Sequence, residues 1–448
     1  MSETTAPRPY RSYVYAYPHK TAYRALPERP SLGALWEAEP KDALSLYAHI
    51  PFCEVRCGFC NLFTRIGAPD ELTTRYLDAL DRQATAVREA LGDPRGDGAP
   101  VRFATAAFGG GTPTFLTAAE LERLCDIAEK RMGVDLRAVP LSVETSPATA
   151  TADRLALLAE RGATRLSIGV QSFVEAEARA AVRPQRRADV EAALGRIRDT
   201  GVPVLNIDLI YGIDGQTEES WRSSLDAALA WRPEELYLYP LYVRPLTGLG
   251  RISPAADRAW DEQRLRLYRY GRDHLRAHGY EQVSMRMFRR TDAAPLGPDD
   301  YACQTDGMIG LGCGARSYTS ALHYSFDYAV DMREIRSIID AYTETEDFSR
   351  VEVGRWVDAE EARRRHLLQS LLQAEGMPVA GYVERFGSSP FADFPVELGR
   401  FEALGWLDAD APAGLLRLSP EGLAYSDGLG PELFSPGVRA AMAAYEPK

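Results

Sequence analysis

An α/β fold with a parallel sheet is what this sequence predicts, and three observations carry it. Between Ala43 and about Val243, strand-like apolar runs alternate with helical patterns, and repeated strand–helix units imply parallel strands joined by right-handed crossovers. Glycine-rich or polar segments follow several of these runs, at what would be one common edge of the sheet. A cluster of three cysteines sits at the first such end, directly after an apolar run that closes at Pro51.

Taken in order, residues 1–40 are rich in Pro, Arg and Tyr, with Tyr10, Tyr13, Tyr15, Tyr17 and Tyr23 crowded together. They read as an extended arm whose aromatic content packs it on the body of the protein. Strands are expected at 44–50, 101–108, 140–144, 165–170, 202–210 and 235–243, and helices at 70–91, 117–132, 151–161, 186–200 and 217–231. Beyond Val243 the alternation stops: 255–280 is helical, 281–290 reads as a strand, and 307–318 is a glycine-rich turn. A helix at 358–375 carries the run RRRH, read as a solvated face. A second helix around 394–404, a Gly-Trp turn and LLRLSPEGLAYSDGL complete a helix–helix–wing pattern. The expected divisions are an arm (1–40), a barrel (41–250), an extension closing the active site (251–354) and a small winged-helix-like α+β lid (355–448).

The chain has 448 residues, enough for two or three domains. Lys plus Arg number 52 against 64 Asp plus Glu, a formal charge of −12, which argues against nucleic acid as the main partner and favours a lid over a DNA-binding role for the winged helix. Six cysteines in so long a chain are no disulfide framework. No run reaches the length of a membrane span. A soluble, cytoplasmic monomer that touches neither membrane nor nucleic acid is expected.

The stretch around which the chain is organised is Tyr47-Ala48-His49-Ile50-Pro51-Phe52-Cys53-Glu54-Val55-Arg56-Cys57-Gly58-Phe59-Cys60. Cysteines at C-x3-C-x2-C spacing on a short loop wrap a compact inorganic centre, each sulfur pointing inward. Three ligands are one short of the four that close a [4Fe-4S] cluster or a structural zinc site, so one iron would stay open. The rival is zinc with His49 as fourth ligand. Cys125 lies in a helical pattern and reads as a core residue; Cys303 and Cys313 carry no assigned role. After the second strand comes Phe108-Gly109-Gly110-Gly111-Thr112-Pro113-Thr114, where glycines let backbone approach a ligand closely. A phosphate loop would need a following Gly-Lys-Ser/Thr, which is missing. The third strand ends in Val143-Glu144-Thr145, the fourth in Gly169-Val170-Gln171 followed by Arg183, and the fifth in Asn206-Ile207-Asp208.

C-x3-C-x2-C after a first strand resembles the radical S-adenosylmethionine (radical SAM) superfamily. The wording YAHIPFCEVRCGFC is similar to the branch typified by oxygen-independent coproporphyrinogen III oxidase, which also holds haem chaperones and some natural-product methyltransferases and cyclopropanases. The resemblance implies a partial (β/α)6 TIM-like barrel with its chemistry at the C-terminal strand ends. It implies a [4Fe-4S] cluster on Cys53, Cys57 and Cys60, and one or two molecules of S-adenosylmethionine (SAM). By position it places Tyr47, Gly110 and Glu144, joined by Arg316, at the SAM attached to the cluster. It places Phe59, Gly111, Thr112, Gln171, Arg183, Asp208 and Tyr242 where a second SAM is held. Residues 307–318 resemble the GLGxGAxS element, and the SYVYAYP run of the arm resembles an N-terminal segment that lies near the oxidases' substrate cavity. Arg316 stands there where many relatives carry a small, apolar or histidine residue; it either pairs with a substrate carboxylate or serves as an ordinary solvated or ion-paired arginine. Leu62 departs from the oxidases, which carry a further cysteine there. The implied activity is reductive cleavage of SAM to a 5′-deoxyadenosyl radical that abstracts hydrogen from a small-molecule substrate, in porphyrinogen-like oxidation or in methyl or methylene transfer. An external flavodoxin or ferredoxin would supply the electron. The alternative is a haem-binding chaperone.

Overall fold

The computed structural model describes residues 8–92, 101–252, 257–294 and 303–448. The start of the arm and the first residues of the 255–280 helical pattern lie outside them. Six strands form the expected parallel series: β1 (Leu44–Ile50), β2 (Phe103–Gly110), β3 (Leu141–Thr145), β4 (Arg165–Gln171), β5 (Val204–Tyr211) and β6 (Glu235–Pro240). Their side chains alternate with period two. In β1, Leu44, Leu46, Ala48 and Ile50 are fully buried, while Tyr47 between them keeps part of its surface. Register carries this alternation across the sheet, so that Glu144 stands opposite Ser167, Ser167 opposite Asn206 and Asn206 opposite Glu235. One face is apolar under the helices; the other, concave face is polar. Strand β6 stops at Pro240 rather than at 243, because proline has no N–H for the ladder.

The helices follow from their patterns and caps. Thr117 and Glu120 close a capping box at the start of Ala118–Asp126, which continues as a π-helical turn through Ile127–Met132. Thr217 caps Glu218–Leu229 in the same way, with Ser220 as the reciprocal partner.

The sheet extends well beyond the six strands. The segment expected as one strand at 281–290 is a hairpin, β7 (Tyr280–Gln282) and β8 (Met287–Arg290), paired antiparallel to each other and to β6. Its turn, Ser284-Met285-Arg286, carries no Gly or Pro to announce itself. On the other side, β9 (Met308–Leu311) pairs parallel with β1, followed by the antiparallel β10 (Arg316–Tyr318), β11 (Leu322–Ser325) and β12 (Val353–Trp356). With Arg24–Ala25 of the arm at the edge, thirteen described strands form one sheet whose two ends do not pair with each other. The barrel is therefore partial.

The C-terminal part has its own apolar core, in which Leu367, Leu371, Tyr382, Phe401, Trp406 and Leu429 meet Tyr17 of the arm. Its helices, among them Ala359–Leu371 and Pro395–Ala403, accompany a two-stranded ladder of Met377–Pro378 and Leu415–Leu416. The RRRH run is not a solvated face. Arg365 is 3% exposed and donates to His323 Nε2 at 2.9 Å, and Arg364 donates to the Leu433 carbonyl at 2.9 Å. The helix is wedged between the sheet and the C-terminal core, so it has no free face there.

Asp427 joins three parts of the molecule. Its carboxylate accepts from Arg286 and from the Tyr242 hydroxyl (2.6 Å), and its carbonyl accepts from the Arg11 and Ser12 amides of the arm. Both charges are almost fully buried, and removing one partner of such a pair leaves the other uncompensated. Asp427→Ala should lower stability by about 3 kcal/mol in denaturant unfolding.

Candidate functional site

The cysteine loop leaves β1 at Pro51 and is tied down at both ends. Arg65 N–H donates to the Pro51 carbonyl (2.6 Å), and Gly111 and Thr112 N–H donate to Ile50 and Phe52 (both 2.8 Å). At its tip Gly58 donates to Ala181 and accepts from Leu249 N–H. A side chain at Gly58 would drive its Cβ to 2.8 Å from Val182, so only glycine fits this crossing. Cys53 and Cys60 are half-buried and Cys57 is buried.

Polar groups from neighbouring elements converge on the thiols. The Thr112 hydroxyl lies 3.3 Å from Cys53 Sγ, and Arg183 Nη1 donates to Cys57 Sγ at 3.0 Å. Arg183 also donates to the Gly169 carbonyl; it follows Val182, a β-branched residue at φ 52°. Burial pushes the Cys53 thiol up to about 12, so the free thiol keeps its proton until a metal centre displaces it. The zinc alternative does not fit. His49 is turned away, donating from Nε2 to the Phe63 carbonyl (3.0 Å) while the Tyr47 hydroxyl meets Nδ1 (3.2 Å). Among the described residues no three His, Cys, Asp or Glu side chains converge at the spacing of a single ion.

The strand ends beside the loop bring Tyr47, Gly110 and Glu144 together. Glu144 accepts from Gly110 N–H at 3.1 Å. Gly109 between them is a residue that the sequence reading passed over: its Cβ would fall 3.0 Å from Glu144 Cδ and 3.1 Å from the Tyr47 ring. Glu144 keeps accessible surface, yet burial, followed by repulsion from Asp208, raises its carboxyl to about 7. That surface therefore lies among protein groups at the strand ends rather than on the open outside. Asp208, half-buried, is raised to about 6 by burial, opposed by a hydrogen bond from Asn206 (2.7 Å). Neither carboxylate has an ion-pair partner among the described residues.

Gln171 sits where β4 bulges against β5, at φ 71°, a backbone state that costs a non-glycine residue on the order of 1–3 kcal/mol. Its side-chain oxygen is buried without a partner. Strain and an unspent acceptor at a strand end mark a ligand position. Phe59 packs with Ile210, Ile213, Leu241 and Leu249 at the same edge. Two expected residues are engaged with other side chains. Tyr242 spends its hydroxyl on Asp427, and Arg316, on β10, donates to the phenols of Tyr15 (3.0 Å) and Tyr318 (3.1 Å). Tyr15, in the SYVYAYP run whose likeness to an arm segment near the relatives' substrate cavity belongs to the sequence reading, also reaches this region, as do His19 and Lys20, which that reading did not single out.

Two predictions test the geometry. Gly110 has φ 113° and a Cβ there would meet the His49 ring at 2.6 Å; Gly110→Ala should cost about 2 kcal/mol or more in unfolding. A carboxyl raised in the folded state stabilises least when ionised: that penalty is absent below about pH 4.5, grows as the pH rises towards 7 and is complete above it. Without cofactors, Glu144→Gln should raise Tm by about 2 °C at pH 8 and leave it unchanged at pH 4.5, as read by a thermal melt at each pH.

Comparison with known proteins accords with this geometry. Residues 47–228 match the radical SAM superfamily, whose cofactors are a [4Fe-4S] cluster and SAM. The chain is 27% identical to the haem chaperone HemW of Bacillus subtilis over 357 residues, 78% of this chain and 89% of that protein. It is 32% identical over 254 residues to the oxygen-independent coproporphyrinogen III oxidase of Salmonella typhimurium, a match covering 56% of this chain and about half (54%) of the oxidase. The solved structure of coproporphyrinogen III oxidase (HemN) from Escherichia coli has the same fold, with a TM-score of 0.77 over 94% of this chain and 96% of that one at 22% identity. Among the described residues no helix is long and apolar enough to cross a membrane. Three thiols on a loop after the first parallel strand, with glycines and a carboxylate on the next two strand ends, thus lie within the stretch, residues 47–228, that matches the radical SAM superfamily, and the chain is similar to HemW and to the oxygen-independent coproporphyrinogen III oxidases.

Proposed function

We propose that this chain is a radical SAM enzyme acting on a small molecule. The observation that carries the reading is that the loop sets Cys57 and Cys60 near enough to act on Cys53, with Thr112 and Arg183 bonded to two of these thiols and the Gly110–Glu144 pair at the neighbouring strand ends. These residues fit the implied group. Cys53, Cys57 and Cys60 would hold the cluster and leave one iron open. The glycines at 109–111 leave a cradle that a Cβ would fill, since at Gly111 it would lie 3.0 Å from Cys53 Sγ. Glu144 offers an acceptor to an ammonium group, and Tyr47 flanks it. When bound, the cluster and SAM supply reductive C5′–S cleavage and a radical that abstracts hydrogen.

The chain's own residues have distinct tasks. Thr112 and Arg183 supply hydrogen bonds to the sulfurs, and such outer contacts tune a centre's potential. Gly110 N–H fixes the Glu144 carboxylate, and a cationic ligand there would restore its ionised form. Gln171 and Asp208 present unspent polar atoms to a second ligand, which is the support for a second SAM and hence for methyl or methylene transfer. Porphyrinogen-like oxidation is the competing chemistry; Leu62, half-exposed, stands where the oxidases carry a further cysteine. The arm and the C-terminal part cover the polar face and exclude water. A second reading, a haem-binding chaperone, is favoured by the match that covers 89% of the Bacillus protein's length.

The test is anaerobic reconstitution with iron and sulfide, then SAM, a reductant and a panel of candidate substrates, read by mass spectrometry. Substrate-dependent 5′-deoxyadenosine is expected, and replacing Cys53, Cys57 and Cys60 together by Ala should abolish it. Stoichiometric haem binding without substrate-dependent release would transfer the assignment to the chaperone.

A further inference from the structure

Most buried or half-buried arginines of this protein meet a carboxylate, as Arg264 meets Asp261 and Arg286 meets Asp427. Several cations near the cysteine loop do not: Arg56 bonds the Val330 carbonyl and Arg183 bonds Cys57 Sγ, and three more, Arg316, Lys20 and Arg244, meet aromatic groups. Arg316 is bonded to the hydroxyls of Tyr15 and Tyr318 and lies 4.8 Å from the Tyr15 ring centre. The Lys20 amine lies 3.7 Å over the Tyr328 ring and bonds its hydroxyl. Tyr328 in turn donates to the carbonyl of Asn61, next to Cys60. Arg244 lies 4.5 Å over the Tyr242 ring. None has an ion-pair partner among the described residues.

These cations come from three separate parts of the chain: the arm, the loop after β6, and β10. They gather around a common neighbour: Tyr15, which accepts from Arg316, packs edge-on against the His19 ring at 5.5 Å between centres, Lys20 follows His19 in the chain, and burial lowers His19 with Lys20, Arg316 and Arg244 each adding to the shift. All are only half-buried, so each keeps surface that a ligand can reach. Desolvating like charges together without a counterion costs several kcal/mol. Phenol rings and hydroxyls soften that cost but carry no negative charge.

We propose that Arg316, Lys20 and Arg244 form a subsite for an oxyanion, carboxylate or phosphate, on the substrate. Its guanidinium groups take two oxygens side by side, the lysine supplies a point charge, and Tyr15, Tyr318 and Tyr328 hold the cations in place. The anion would thereby fix the distance between the substrate's reacting carbon and the cluster loop. Assigning the anion to a substrate rests on the enzyme reading above; its binding is measured without turnover, so the two can fail separately.

The test is calorimetric titration of the full chain, anaerobically reconstituted, with glutarate in one arm and inorganic phosphate in the other. One of the two should bind, and which one does names the anion. Arg316→Gln and Lys20→Met should each weaken it by about tenfold, while Lys130→Met, at an exposed ion pair far from the site, should not. Saturating SAM should leave the binding in place. Because each substitution removes an uncompensated charge, neither should lower Tm in the absence of anion. Absence of binding by both anions, equal binding by the variants, displacement by SAM, or a loss of binding accompanied by a fall in Tm would each overturn the proposal. Displacement would assign the cations to the cofactor's own carboxylate.

Discussion

Strand β1 is the constraint on which the rest of the structure depends. It is hydrogen-bonded in parallel on both sides, to β2 and to β9, so its direction and register cannot slip without turning every side chain over. Its apolar residues lock under the helices, which forces Tyr47 and His49 inward. Pro51 ends it, and the cysteine loop has to leave at one fixed point. The amides of Gly111 and Thr112 then stitch that loop to the end of β2. Position of the thiols relative to Glu144 is thus set by sheet hydrogen bonds rather than by the loop itself.

The groups around this edge carry charges of both signs that do not pair with one another. Glu144 and Asp208 lie on the strand ends without a cation in ion-pair range, whereas Arg316, Lys20 and Arg244 lie without a carboxylate. A folded chain that could pair these groups internally would gain several kcal/mol by doing so. Holding them apart is a cost that ligands of matching charge would recover. The same logic explains the strained Gln171 and its unspent oxygen.

Closure of this edge depends on parts of the chain far apart in sequence. The arm runs over the polar face, with Tyr17 in the C-terminal core and Tyr10 against Tyr211. Asp427 binds arm, barrel and C-terminal part at one point. The C-terminal part lies against the body through its RRRH helix, whose Arg365 meets His323 of β11.

The sequence by itself determined the parallel series, its helices and the identity of the thiol, glycine and strand-end residues. Those signals are local: hydrophobic period, caps, and residue types at fixed spacing, all imposed by backbone geometry within a few residues. Tertiary structure alone decided what depends on contacts between distant segments. That β9 completes the sheet beside β1, that 280–290 folds as a hairpin, and that Arg365 is buried against His323 follow from which surfaces meet. So does the turn of Tyr242 towards Asp427, and the approach of Lys20, Arg244 and Arg316 from three distant parts of the chain. Charge in a sequence is only a count; whether a charge finds a partner is settled when the chain has folded.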